Sequence, residues 1–124
     1  LSNEEDVLQR NLLSQLNEEG FTSSNLSQLS KKTGNSKEKL MRLLTIAEQQ
    51  GKLLRINGSL MFTQTNFLKL QKKVAQHFTN HSEMSVSEFK ELAETSRKYA
   101  VPLLEYFDKK KITYREGNTR KLVK

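Results

Sequence analysis

The stretch TSRKYAVPLLEYFDKKKITYREGNTRKLVK, residues 95–124, decides how the chain is read. From Ser96 to Lys110, Leu103, Leu104 and Phe107 recur at helical spacing, with Tyr106 partly on the same face. Ile112–Glu116 and Thr119–Val123 then flank Gly117-Asn118, a pair of turn residues between two short runs, which predicts a hairpin. Nine cations lie between Ser96 and the end: Arg97, Lys98, Lys109, Lys110, Lys111, Arg115, Arg120, Lys121 and Lys124. Only Glu105, Asp108 and Glu116 oppose them, so this segment holds +6 of the chain's net +7. A helix leading into a basic two-stranded wing, with this charge balance, points to a polyanionic partner and to nucleic acid in particular.

Working outward, the bulk properties bound the rest. At 124 residues and 35% hydrophobic, the chain accommodates one domain or two of about 60 residues, near the lower limit for a self-sufficient core. There is no cysteine, which removes disulfides and thiolate metal sites and suits a reducing, cytoplasmic setting. No apolar run approaches the ~18 residues of a membrane span, and no signal-peptide pattern opens the chain; no membrane association is expected. The first residue is Leu1 rather than Met, which reads as a fragment of something longer. Charge is uneven: residues 1–62 carry eight Lys/Arg against seven Asp/Glu, whereas residues 63–124 carry thirteen against seven.

The upstream pattern has the same order as the end. Glu4–Glu19 places Val7, Leu8, Leu12, Leu13 and Leu16 on one helical stripe, with Glu4, Glu5 and Asp6 in the first turn and Gly20 as the stop. Phe21 begins a short extended piece, and Ser23 or Ser24 caps a helix over Asn25–Lys32. A third helix opens at Ser36 and runs to Gln50, and Asn57-Gly58 signals a hairpin between Lys52–Ile56 and Leu60–Thr63. The series repeats as a helix over Thr65–Asn80 with Phe67, Leu68, Val74, Ala75 and Phe78 inward and Leu70 on its flank. Met84 follows in an extended link, and then a helix over Val86–Glu94 capped by Ser85 with Glu88 completing a capping box. The expected fold is mainly α with small β-wings (α+β): two tandem winged-helix, helix-turn-helix domains, 1–63 and 64–124, coupled through a joint without a flexible linker.

Pro102 leaves two accounts of the last helix open: a start near Pro102 after a separate turn, or one helix running through. In both, Arg97, Lys98 and Tyr99 lie at a helix entry whose N–H groups attract phosphate. Lys109–Lys111 reads as a solvated helix end, and Glu105 and Asp108 as surface or intradomain ion-pair partners. His77 and His81 have the i, i+4 spacing of two metal ligands, but the nearest third candidate, Glu83, lies past the helix end. No metal and no other cofactor is expected. No Ser/His/Asp grouping and no GxxxxGK[ST] loop occurs, so the chain is read as a binding module and not an enzyme.

Ser96-Arg97-Lys98-Tyr99-Ala100, Pro102-Leu103-Leu104-Glu105-Tyr106, Asp108, and a wing with Thr113, Arg115, Gly117, Arg120 and Leu122 resemble the C-terminal end of the bacterial selenocysteine-specific elongation factor family, SelB. Val86-Ser87-Glu88-Phe89 fits the same pattern. The resemblance covers about Ser85–Leu122; upstream only the architecture agrees. The wing differs from the family's more Arg-rich form at Lys110, Lys111 and Tyr114. The resemblance implies an array of winged helices whose last member binds the selenocysteine-insertion hairpin of an mRNA. It also implies that GTP and selenocysteyl-tRNA are bound by a front end this chain lacks. Ser96, Arg97, Lys98, Tyr99, Arg115, Arg120 and Lys121 would then grip the RNA loop and its phosphates, with Arg115 and Arg120 facing each other across the wing as a clamp. Tyr99 either stacks on a base or packs on its own domain. The first winged helix, nearly neutral apart from Lys31, Lys32, Lys37, Lys39 and Arg42, reads as a spacer or as a surface for the ribosome or a neighbouring domain. Two rival readings stand beside this one, a DNA-binding regulator and a protein-docking module. No dimerisation element is visible, so a monomer is expected.

Overall fold

The computed structural model describes residues 1–57 and 60–124. The chain forms two compact units, Leu1–Asn66 and Phe67–Lys124. In the first, α1 (Asn3–Glu19), α2 (Leu26–Thr33) and α3 (Lys37–Gln49) precede an antiparallel pair, β1 (Leu53–Ile56) and β2 (Leu60–Thr63), in register Leu53↔Thr63 to Ile56↔Leu60. Asn57 takes a positive φ of 55° after β1; the Gly58 half of the expected Asn57-Gly58 turn lies outside the described residues. In the second, α4 (Gln64–Asn80) leads to β3 (Met84–Ser85), α5 (Val86–Ala93), α6 (Arg97–Lys109), β4 (Thr113–Glu116) and β5 (Thr119–Leu122). The three strands make one antiparallel sheet in the order β3-β5-β4. The expected fold class is the observed one.

At α1, α2, α3 and α5 the helix start follows from a short polar side chain that turns back on the first turn. Ser2 and Glu5 form a reciprocal capping box at α1, as do Ser85 and Glu88 at α5. The cap of α2 is Asn25, not Ser23 or Ser24: Asn25 and Gln28 make the box, while Ser24 donates from its amide and hydroxyl to Glu19 at 2.7 and 2.6 Å. Burial of Glu19 opposes ionisation, but the bonds from Ser24, Gln15 and Lys32 outweigh it and lower the pKa of its carboxyl. Phe21 forms no strand; it packs on Phe62 with ring centroids 5.2 Å apart.

The first core gathers Leu12, Leu16, Leu29, Leu40, Leu43, Leu44, Ala47, Leu53 and Met61. Val7, expected inward, is 47% exposed; its neighbour Gln9 is buried instead, its amide donating to the Leu43 carbonyl at 2.9 Å. In α4 likewise Leu68 is exposed and Leu70 buried. The second core is built on Phe107, whose ring lies 5.1 Å from Phe67 and 5.3 Å from Phe89, with Leu70, Val74, Met84, Leu103 and Leu104 around it.

The two units end their third helices with the same device. After α3, Gly51 N–H donates to Glu48 O and Lys52 N–H to Ala47 O; after α6, Lys111 N–H donates to Asp108 O and Ile112 N–H to Phe107 O. Both are Schellman motifs, which require a left-handed residue at the position just past the helix. Gly51 takes that conformation freely at φ 76°, whereas Lys111 is held there at φ 60°. We expect Lys111→Gly to stabilise the second unit by up to about 1 kcal/mol, the left-handed cost of a side chain. A raised urea midpoint would check this, and an unchanged or lowered one would show that the lysine side chain offsets its own strain.

Candidate nucleic-acid interface

Two groups of candidate residues lie on two elements of the second unit. The first is the entry of α6. The helix runs unbroken from Arg97 through Pro102 to Lys109, which decides between the two accounts left open by sequence. Ser96 is its N-cap residue with extended backbone (φ −96°, ψ 166°), and its side chain makes no capping hydrogen bond. Arg97 and Lys98 are exposed, and neither belongs to a salt bridge among the described residues. Tyr99 is half-buried, with the Lys98 ammonium 5.5 Å from its ring centroid. Two cations, a hydroxyl and an aromatic ring thus meet at the positive end of a helix dipole.

The second group is the wing, where the strand pleat sorts the cations. Thr113, Arg115, Arg120 and Leu122 pair across the hairpin and share one face; Tyr114 pairs with Lys121 on the other. Arg115 and Arg120 are opposite each other as expected, but they differ in setting. Arg115 is exposed and its Nε donates to the Gly117 carbonyl at 3.0 Å. Arg120, expected as one jaw of an exposed clamp, is buried to 6% exposure. Its Nε donates to both carboxylate oxygens of Asp108, at 3.2 and 2.9 Å. Thr113 Oγ1 donates to the same carboxylate at 2.7 Å. In this structure Arg120 is a strut between helix and wing, because a guanidinium out of water needs a carboxylate partner and finds one in the last turn of α6.

Lys121 bridges to Glu116 at 3.3 Å, and this hydrogen bond leads the influences that raise its pKa, so it stays charged across the neutral range. Lys109, Lys110 and Lys111 are exposed at the helix end, and Lys110 lies 5.5 Å from the Tyr106 ring. In the first unit, two of the five expected patch cations are engaged within the fold: Lys32 with Glu19 at 3.3 Å and Arg42 with Glu5. His77 does not face a ligand set: its Nε2 lies 2.8 Å from the Glu83 carbonyl and its ring stacks on His81. Among the described residues no group of three His, Cys, Asp or Glu is placed to hold a metal. None of the described helices is long and apolar enough to cross a membrane.

Asp108 is an intradomain ion-pair partner, as expected, but its joining of Thr113 and Arg120 into one cluster was not read from the sequence. The signal was present in the alternation of the wing, which puts Thr113 and Arg120 on the face turned toward α6. We expect Asp108→Ala to cost about 3–5 kcal/mol, the range for removing one partner of a buried ion pair and leaving the other charge uncompensated. Chemical denaturation should show Arg120→Ala costing less, because the Asp108 carboxylate it leaves is the more exposed partner, and the double variant little more than Arg120→Ala alone. Fully additive losses would mean the two residues act separately.

Residues 76–122 match the family model described as "Elongation factor SelB, winged helix". A selenocysteine-specific elongation factor of Desulfomicrobium baculatum is 31% identical over 109 residues, which is 88% of this chain and 15% of that protein. The chain therefore spans about a seventh of the length of that curated relative. Among solved structures, the mRNA-binding domain of elongation factor SelB from E. coli, in complex with SECIS RNA, matches with a TM-score of 0.81 and 22% identity, covering 100% of both chains. A bacterial selenocysteine-specific elongation factor, EF-Sec, matches with a TM-score of 0.66 and 23% identity over 99% of this chain and 19% of that one.

Proposed function

We propose, for a chain whose second unit is a winged helix of the SelB family, that it binds an mRNA hairpin of the selenocysteine-insertion type in the service of a longer translation factor. The observation that carries this reading is the pairing of a family match over residues 76–122 with exposed cations outside any described salt bridge, Arg97 and Lys98, at the entry of that domain's third helix. The structural relative bound to SECIS RNA supports the choice of RNA over duplex DNA.

The physical division of labour is as follows. The A-form major groove is too narrow for side chains, so a hairpin is read at its loop and the adjoining backbone. Arg97 offers a planar fork to a phosphate or a guanine edge, Lys98 a point charge, and Ser96 a hydroxyl. Tyr99 lies where an extruded base can stack over the part of its ring left exposed. Arg115 and Lys121 approach backbone phosphates from the two faces of the wing, and Arg120 holds the wing in place through Asp108. Catalysis has no part in this reading; GTP and selenocysteyl-tRNA belong to other parts of a full-length factor. The first unit serves as a spacer or as a surface for the ribosome.

A competition titration at near-physiological salt tests this. The intact hairpin should outcompete both a scrambled-loop hairpin and a duplex DNA of equal length, and Arg97→Ala should cost about 1–3 kcal/mol of hairpin affinity. The slope of log affinity against log salt should become shallower by about 0.7–0.9 in that variant, the value of one phosphate contact. Equal, weak binding to all three nucleic acids would overturn the proposal.

A further inference from the structure

Beside the wing lies a recess that shares only Lys121 with the proposed hairpin grip. It is a recess of about 390 Å³, lined by Phe78, His81 and Ser82 from the end of α4 and by Tyr114, Lys121, Leu122 and Lys124 from the hairpin and the chain end. Its composition is unusual for a surface otherwise covered by charge. Tyr114 is 44% exposed and lines the recess. The register sets Tyr114 directly opposite Lys121, so ring and ammonium stand side by side on the same face.

The α4 side of the recess is held in position. His81 stacks on His77 with ring centroids 4.4 Å apart and planes inclined by 21°. Phe78 meets the same His77 ring edge-on at 5.4 Å. His77 itself has a side chain only 9% exposed and is tied to the Glu83 carbonyl at 2.8 Å, so it buttresses both aromatic rings. No Asp or Glu lines the recess. Glu83 and Glu116 lie outside it, and the Glu116–Lys121 bridge is exposed and weak enough for another anion to displace.

A flat apolar wall beside two ammonium groups is the combination that takes up single-stranded nucleic acid, the ring accepting a base face and the cations the phosphate next to it. The volume falls within the range of small-ligand pockets and holds one nucleotide. We propose that this recess binds one unstacked base, with its phosphate, of a single-stranded RNA segment. Tyr114 supplies the stacking surface, and Lys121 and Lys124 supply the charge. The inference rests on the reading of the partner as RNA but uses residues distinct from the α6 entry.

The test is an NMR titration of the whole ¹⁵N-labelled chain with a single-stranded RNA trinucleotide, run beside inorganic phosphate, and with the hairpin titrated separately. Saturable shifts at the amides of Phe78, His81, Tyr114 and Lys121 are expected with the trinucleotide. Tyr114→Ala should weaken its binding by about five-fold to a hundred-fold, the range for losing one stacked base, while Tyr114→Phe retains it. Because Tyr114 lies outside the core, an unchanged melting temperature should accompany both variants. Phosphate producing the same shifts with Tyr114→Ala indifferent would reduce the recess to an anion site and overturn the proposal. Trinucleotide shifts confined to Ser96–Tyr99 would overturn it too. Arg97→Ala separates the two claims: loss of hairpin affinity with no Tyr114 effect retains the hairpin reading alone. Trinucleotide binding that depends on Tyr114, with hairpin affinity indifferent to Arg97, retains the recess alone.

Discussion

The carboxylate of Asp108 fixes the geometry of the second unit. It sits in the last turn of α6 and receives Thr113 from β4 and Arg120 from β5, so one acceptor ties the helix to both strands of the wing. Charge-assisted bonds of this kind are about twice as strong as neutral ones, and a buried guanidinium without its partner would be far costlier than no guanidinium at all. The cluster also sets register. A one-residue slip of β5 would carry Arg120 to the outer face and bring Lys121 against Asp108. A lysine ammonium in that place would lack the fork that spans both carboxylate oxygens.

The two units build the ends of their third helices alike from different residues. Their third helices end on the same pair of backbone hydrogen bonds, so the backbone solution is shared. In the first unit the left-handed positions after the second and third helices are Gly34 and Gly51; in the second they are Glu94 and Lys111. The second unit thus tolerates backbone strain where the first uses glycine, and at Lys111 it gains a cation beside the helix C-terminus, where the dipole favours one. Among the described residues each unit pairs three of its Lys or Arg side chains with a carboxylate: Arg10, Lys32 and Arg42 in the first, and Lys73, Arg120 and Lys121 in the second, while Arg97 and Lys98 belong to none of these bridges.

Much of this was legible in the residues, because caps, turns and apolar periods are local signals. Ser85 and Glu88 form the capping box their spacing predicts, and Gly117 turns the wing at a φ of 62°. The failures came where a tertiary partner decides. Val7 and Leu68 are apolar but stand about 200° around the helix from Gln9 and Leu70, which complete the buried i, i+3, i+7 stripes with Leu12 and Leu16 and with Phe67 and Val74. Only the Leu43 carbonyl, thirty-four residues away, makes burial of Gln9 acceptable. Ser24 was a sound cap by type, but Glu19 claimed it and left the role to Asn25. Arg120 was the most instructive case at the site: an arginine on a two-stranded wing reads as exposed until the carboxylate behind it is known.

The burial of Arg120 gives the wing its division of labour rather than weakening it. With Arg120 anchored inward, the pleat must send its neighbour Lys121 outward, and the cross-strand pair must send Tyr114 with it. Arg115, two residues nearer the tip than Thr113, shares Arg120's face but lies beyond the reach of Asp108, and it hydrogen-bonds the turn carbonyl of Gly117 instead. One short hairpin therefore has an arginine for the α6 side and a tyrosine–lysine pair for the other, each held by the same inward strut. On the proposed reading, the two faces address different parts of an RNA: a structured hairpin at the helix entry and an unpaired nucleotide behind the wing.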